Sequence, residues 1–529
     1  MRAPWLAAAG ALLLYLPTLA PGLTWRAGGD DAGDLINAAW QLGVPHPTGY
    51  PLYTALGRLF LALPWGEPAW RTNLLSAAAG ALAAALLAAA VVDAVRRAHG
   101  DAAEGAAEVA GAVAGCCLAA TPLLWTQATI TEVYSLLAAG SAALVLPARG
   151  AAANLRATQP AGPPLRVLAF LSGLVLTHHA SVLIPLLAVW GYLFLTWLDV
   201  LVPSAVGGGA FARQNTMPPP VRVPGRVSGP LRLFGLGLAP LALLPLRAGT
   251  AAMADWHHPD TVAGFWALVS GADYHYLLFH ASLAAMVGRA GAALLLLTLG
   301  AFGPGIILAG LGLAQVWRRD RAWAICSVAA VGLNILAVAV YAAENTLVYA
   351  LATLPFVAAW LGDGLGVLLV RRGTGRAMRW VLAGLLAASV ALGGTAWAAS
   401  RSAALDPAGQ DQAPAFLAHM AATLPPRALL ITSADGDTFS LWYDRYVGGR
   451  RTDVTTVDVR LLDAPWFRAN LAAYEPDLAP ALAGLADFPT FAARVAAAGR
   501  PVCALRNDLA RPPGLHWRPQ PAGYWLLGP

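Results

Sequence analysis

Asp30, Asp31 and Asp34 fall within five residues of one another, in the stretch GGDDAGDLINAAWQLGVPHPTGYPLYTALG that runs from Gly28 to Gly57. Crowded carboxylates repel, hold their protons more tightly and cost free energy unless they bind something. A carboxylate tuned in this way can take the proton of a hydroxyl as it attacks, which is general-base chemistry. Asp31 and Asp34 are three residues apart, about one helical turn, so both can face one pocket. His46 and Tyr50 follow closely enough to shape that pocket. Pro45, Pro47 and Pro51 restrict φ through the turn, and Gly49 permits close approach.

Other polar clusters punctuate the chain: Glu132 and Tyr134 in TQATITEVYS, His178 and His179 in LTHHAS, and Arg247, Asp255, Trp256, His257 and His258 in PLRAGTAAMADWHHPDTVAGFW. Glu344 with Asn345 lies in AENT, and Asp273 stands alone; both acids are expected on a plain surface. Adjacent histidines on a helix point roughly 100° apart, which is poor geometry for two ligands of one ion. A divalent metal would need a further ligand from Asp31, His46 or His257. The four cysteines show neither zinc spacing nor a disulfide framework. No metal or other cofactor is expected, a divalent cation being the alternative.

The elements that must carry these residues are membrane helices. Of 529 residues, 58% are hydrophobic and 12% charged, and mean hydropathy is +0.59. A soluble domain carries about 25% charged residues. Half that value, with repeated apolar runs near 20 residues, marks a polytopic membrane protein. Apolar runs predict about eleven spans, at 4–23, 72–95, 106–124, 133–147, 165–178, 180–201, 230–246, 289–316, 322–342, 346–370 and 379–398. The first is read as an uncleaved helix rather than a signal peptide, because no A-x-A-like site precedes the acidic cluster.

All 34 basic residues are arginine. With the N-terminus inside, seventeen arginines, from Arg2 to Arg379, fall in cytoplasmic connectors. Five, Arg26, Arg58, Arg71, Arg247 and Arg289, fall in the outer loops, and the other twelve lie in residues 400–529. The net charge of +6 arises from these loop arginines and is not a nucleic-acid signature. An odd helix number then places residues 400–529 outside, on the face that holds every cluster of His, carboxylate and Tyr. The expected setting is a plasma membrane, bacterial by the Ala-, Gly- and Arg-rich composition of a GC-rich genome. Residues 1–399 read as the membrane domain with its active outer loops. Residues 400–529 read as a small extracytoplasmic α/β domain, with strands in RALLIT, TDVTTVDV and PVCAL and a helix after SADGD.

The stretch DAGDLINAAWQLGVPHPTGYPLYTALG resembles the signature of a family of multi-spanning proteins long catalogued without a function, whose animal members are protein O-mannosyltransferases. ATITEVYSL, GLVLTHHASVL, LPLRAG with DWHHPDTVAGFWALVSG, and LWYDRYVGGRRTDVTTVDVRLLDAPWF resemble further family blocks in the expected order, as far as about Phe467. Asp34 stands where the family pattern has Glu, Thr48 replaces a proline, and DWHHPDT departs from the usual text. The resemblance implies a GT-C glycosyltransferase. Such an enzyme moves a sugar from a polyprenyl phosphate to a protein, glycan or lipid acceptor at the outer face of the bilayer, with inversion and with a first-loop acid as base.

That acid is Asp31, with Asp34 beside it. Arg247 is the first choice for the donor phosphate because it sits where an apolar helix meets an outer loop; Arg58 and Arg71 come second. The expected donor and acceptor pocket comprises His46, Tyr50, Glu132, Tyr134, His178, His179, Asp255 and Trp256. Two other classes stay open: a transporter or flippase of lipid-linked saccharide, and a non-catalytic envelope assembly protein. Transporters tend to show repeats and polar mid-membrane helix breaks, and neither is visible here.

Overall fold

The structure is a computed structural model describing residues 2–159, 162–201, 228–250, 253–406 and 409–529. Arg213, Arg222 and Arg226, assigned above to a cytoplasmic connector, lie outside the described residues. Among those described, eight helices are long and apolar enough to cross a membrane: Pro68–His99, Asp101–Ala119, Tyr134–Arg156, Ala180–Leu201, Leu283–Gly300, Arg321–Val340, Leu354–Arg372 and Arg376–Ala403. Ser228–Gly237 and Ala239–Arg247, bent by 45°, make a ninth if counted as one broken span.

About eleven spans were expected, and two further apolar helices fall below that length. The first and fifth predicted spans are the helices Ala3–Thr18 and Gly162–Leu176, of 16 and 15 residues. At 1.5 Å per residue they are about 24 and 22 Å long, short of a 30 Å hydrocarbon core. The fourth, predicted to stop at 147, runs to Arg156 with Pro147 inside it. The predicted single span 289–316 is a broken one. A π turn at Leu296–Gly300 and a 3-10 turn at Gly303–Gly305 separate Leu283–Leu295 from Ile306–Arg319.

Small residues let the helices approach closely, as membrane packing requires. Ala3, Ala7, Ala11 and Tyr15 form the buried stripe of the first helix, while Leu6, Leu13 and Leu16 stay exposed toward lipid. A Cβ on Gly111 or Gly115 would meet the carbonyl oxygen of Ala88 or Ala84 at 2.7 Å. The two ends of the bundle differ. At one, Arg156 forks onto Asp320 at 2.7 and 2.9 Å, and Arg319 donates to the Ala98 carbonyl at 3.2 Å. At the other lie the first acidic loop, the loops around residues 132, 178 and 255, and the C-terminal α/β unit.

That unit holds five strands: β1 (Leu429–Thr432), β2 (Thr455–Asp458), β3 (Val502–Ala504), β4 (His516–Pro519) and β5 (Trp525–Gly528). The sheet order is β2-β1-β3-β5-β4, with β1 parallel to β2 and β3, and β5 antiparallel to β3 and β4. The three expected strands and the helix are present, the helix being Asp435–Tyr446. The acidic turn expected before it is the first turn of that helix, because Asp435 and Asp437 are favoured at a helix N-terminus. Leu429, Ile431, Phe439, Trp442 and Phe467 share one core with Val44, Leu244, Met253, Trp256 and Leu268 from the segments at that end of the bundle. The α/β unit is therefore welded to the membrane domain by a common apolar interior.

Candidate functional site

Asp31 ends a 3-10 turn, Arg26–Asp31, and immediately precedes the helix Ala32–Gln41. Asp34 sits in that helix's first turn, where the helix dipole favours negative charge. Gly33, between them, lets the helix touch the tail: a Cβ there would lie 2.0 Å from the Phe439 carbonyl oxygen. The turn after the helix returns His46 to both acids. His46 Nδ1 lies 2.8 Å from Asp34 Oδ2, and the His46 backbone N–H donates to the same oxygen at 2.9 Å. His46 Nε2 lies 3.6 Å from Asp31 Oδ2. Trp256 Nε1 donates to the other Asp34 oxygen at 3.2 Å.

The two acids thus differ in kind. Asp34 is fully buried with both oxygens engaged, whereas the Asp31 side chain is 34% exposed and meets His46 at 3.6 Å. Burial pushes the Asp31 carboxyl up to about 6 against the pull of the His46 cation; Asp435 and Asp34 add to the rise and Arg460 opposes it. Burial acts to lower His46, but the charge of Asp31 and the hydrogen bond to Asp34 outweigh it and raise the ring to about 9. Burial also raises Asp30 to about 6, helped by Asp31 and Asp435. Near neutrality the centre is an ionised Asp31 facing a protonated His46 that is clamped by Asp34.

The loop around Trp256 is fixed from two sides. Val44 and residues 254–256 pair as a short parallel bridge, with Val44 N–H donating to the Ala254 carbonyl at 2.6 Å. Trp466 of the tail lies 4.8 Å from the Trp256 ring, and Asn470 Nδ2 donates to the Asp255 carbonyl at 3.0 Å. Asp255 itself accepts from the Gly249 N–H at 2.6 Å and closes its own loop. His257 pairs with Asp273 at 2.7 Å, and His258 lies 3.9 Å from Asp255.

Tyr50, Tyr134, His178 and His179 come together. The Tyr50 and His46 ring centroids are 5.2 Å apart, Tyr50 stacks on His179 at 5.9 Å, and Tyr134 meets His179 at 5.6 Å. Glu132 is buried beside them, Oε2 accepting from the Val133 N–H at 3.2 Å. The adjacent histidines turn to different partners: His178 Nε2 donates to the Val133 carbonyl at 2.8 Å, and His179 Nδ1 accepts from the Ser181 N–H at 3.0 Å.

The arginines picked from sequence lie elsewhere. Arg247 donates to the carbonyls of Leu42 and Gln41 at 2.9 and 3.0 Å, and Arg58 to that of Trp40 at 2.7 Å. Both satisfy the carbonyl end of the helix Ala32–Gln41, roughly 15 Å by helical rise from the acids at its start. Arg71 likewise binds the carbonyls of Leu61, Trp65 and Gly66. His46 and, more weakly, Arg460 pull the Asp31 carboxyl downward, Arg460 itself being held by Asp458 and Asp435. Arg460 and Asp435 were missed because they approach from 400 residues away. Tyr274 and Tyr349 were also missed. Burial and then the charge of Asp31 raise Tyr274, while Tyr349 lies 5.6 Å from His179. The tyrosines of ADYHYL and TLVYALA were the only local signal for these two.

Residues 31–200 match the family described as the protein O-mannosyl-transferase TMEM260 N-terminal domain, and residues 409–481 match TMEM260-associated domain 2. The protein O-mannosyl-transferase TMEM260 of Mus musculus is 45% identical over 75 residues, 14% of this chain and 10% of the mouse protein. Its Dictyostelium discoideum counterpart is 37% identical over 73 residues, 13% of this chain and 8% of that protein. The aligned segment thus spans about a tenth of the length of each of these relatives. ArnT from Cupriavidus metallidurans, solved bound to undecaprenyl phosphate, superposes with a TM-score of 0.59 at 13% identity, covering 99% of this chain and 97% of that one. At that identity the likeness is one of fold.

Proposed function

We propose that this chain, kin to the protein O-mannosyl-transferases and built on the fold of an enzyme that binds undecaprenyl phosphate, is a membrane glycosyltransferase using a polyprenyl-phosphate sugar as donor. The observation that carries the reading is Asp31: a half-exposed carboxylate, raised to about 6, with a fully held Asp34–His46 pair behind it. The acceptor hydroxyl gives its proton to Asp31 while its oxygen forms the new bond to the anomeric carbon. The bond from that carbon to phosphate breaks, and polyprenyl phosphate leaves with the electron pair. Attack from the face opposite the leaving group inverts the anomeric centre. The charges of protonated His46 and of Arg460 favour the ionised form of Asp31, in which it takes the acceptor's proton.

The reaction belongs at the extracytoplasmic face of a plasma membrane, with the N-terminus cytoplasmic and the α/β unit outside. The arginine distribution supports this, as does the packing of that unit against the loop bearing Asp31. The acceptor is a hydroxyl of a protein or an envelope glycan or lipid. The purified protein in detergent, offered polyprenyl-phosphate sugars and nucleotide sugars separately, is expected to turn over only the former. Turnover of a nucleotide sugar alone rejects the reading, and vectorial movement of an intact lipid-linked saccharide favours a flippase. The scheme uses side chains alone, so turnover should survive EDTA. Loss on chelation that Mg2+ or Mn2+ restores would bring a cation into the site.

A further inference from the structure

Beyond Asp31 the rings continue inward from Tyr50. His179, stacked on Tyr50 with 27° between the planes, lies 5.6 Å from both Tyr134 and Tyr349, and those two tyrosines are 5.8 Å apart. The histidines of this wall are neutral near neutrality, burial holding His178 down to about 4 and His179 to about 3. Burial, with the charge of Asp31 behind it, pushes the Glu132 carboxyl well above its ordinary range.

Three buried polar atoms here have no hydrogen-bond partner among the described residues: Glu132 Oε1, His178 Nδ1 and Tyr53 Oη. Glu132 and His178 are 2% and 3% exposed. Because His178 donates through Nε2, its Nδ1 is a bare acceptor. A protonated carboxyl and a phenol can each donate and accept. Buried polar groups are rarely left unpaired, and these three, from three segments of the chain, need polar partners.

We infer that this compartment is the subsite for the transferred sugar: the ring lies against Tyr50 and Tyr349, and its hydroxyls pair with Glu132, His178 and Tyr53. The inference rests on the glycosyltransferase reading and assigns the sugar, rather than the acceptor, to the interior side of Asp31. Aromatic faces beside a few converging polar groups suit an uncharged polyol. A site built to pair hydroxyls also rejects ligands that lack them, because its own groups are then stranded.

The test measures binding by the full-length chain in detergent. Two probes are compared: bare polyprenyl phosphate and polyprenyl phosphate carrying a neutral hexose. The wild type should prefer the hexose-bearing lipid. Glu132→Leu and Tyr349→Ala should each erase at least about tenfold of that preference, the worth of one buried polar contact, while binding bare lipid as before. Glu132→Gln, which keeps volume and hydrogen bonding, should retain most of the preference and serves as the folded control. An unchanged preference in Glu132→Leu and Tyr349→Ala overturns the subsite, as does equal loss of both lipids or an absence of preference in the wild type. Failure of the wild type to bind either lipid overturns the glycosyltransferase reading instead.

Discussion

Replacing Asp31 with Asn keeps its size and removes its ability to take a proton. General-base assistance is typically worth about 10² to 10⁴-fold, so Asp31→Asn should lose about 3 to 5 kcal/mol of transition-state stabilisation while still binding donor. Asp34→Asn should do less, acting through the placement of His46 and Trp256, and Asp30→Asn least; a membrane assay at matched expression ranks the three. Asp31 must be ionised to act, so activity should rise with pH through about 6. The His46 cation pulls Asp31 downward, so His46→Gln should shift this acid limb to higher pH, which a kcat/KM profile would read. The acids and His46 were legible in sequence because one short helix and its turn bring them together. The carbonyl partners of Arg247 and Arg58 were not legible, because a helix edge by itself names no partner and no residue pattern displays those carbonyls. Arg460, Tyr349 and Trp466 reach the centre by tertiary packing alone, which a linear reading does not contain.

Among the elements, Tyr134–Arg156 shows how a span can be cut short on paper. Pro147 and Arg149 read as the end of an apolar run, yet the helix continues, and Arg149 is buried against Asp363 at 3.0 Å and over the Trp323 ring at 4.9 Å. Arg149 therefore does not belong with the connector arginines. Removing one partner leaves a stranded charge in an apolar interior, so Arg149→Met or Asp363→Leu alone should cost about 3 to 5 kcal/mol. The double substitution should recover most of that loss. Thermal unfolding in detergent compares the three variants, and additive losses would show that the pair is not coupled. Strands β1 to β3 were readable from their β-branched and apolar runs between turn signals. Strands β4 and β5 were not: HWRP and WLLG are short, part-exposed and lack alternation, and they become strands by pairing with each other and with β3. The break at Gly300–Gly305 was hidden for a similar reason, since a long apolar run does not reveal where its hydrogen bonds change register.

For the whole molecule, reporter fusions at Arg97, Arg319 and Gly373 should report cytoplasm and one after Ser400 the outside; a cytoplasmic tail would sink the proposed placement of the reaction. Hydropathy made the membrane class plain, and charge gave a sidedness that the two dissimilar ends of the bundle accommodate. The shared core of tail and loops was not legible, because apolar residues in separate segments do not announce that they meet. The contact between Gly33 and Phe439 carries a temporal consequence. Some 400 residues separate the two along the chain. At about 5 to 20 residues per second, a ribosome needs roughly 20 to 80 s to travel from one to the other. Throughout that interval the acidic loop is already made while the surface that closes over it does not yet exist. A nascent polypeptide that has not yet reached Phe439 thus carries an unfinished acidic loop.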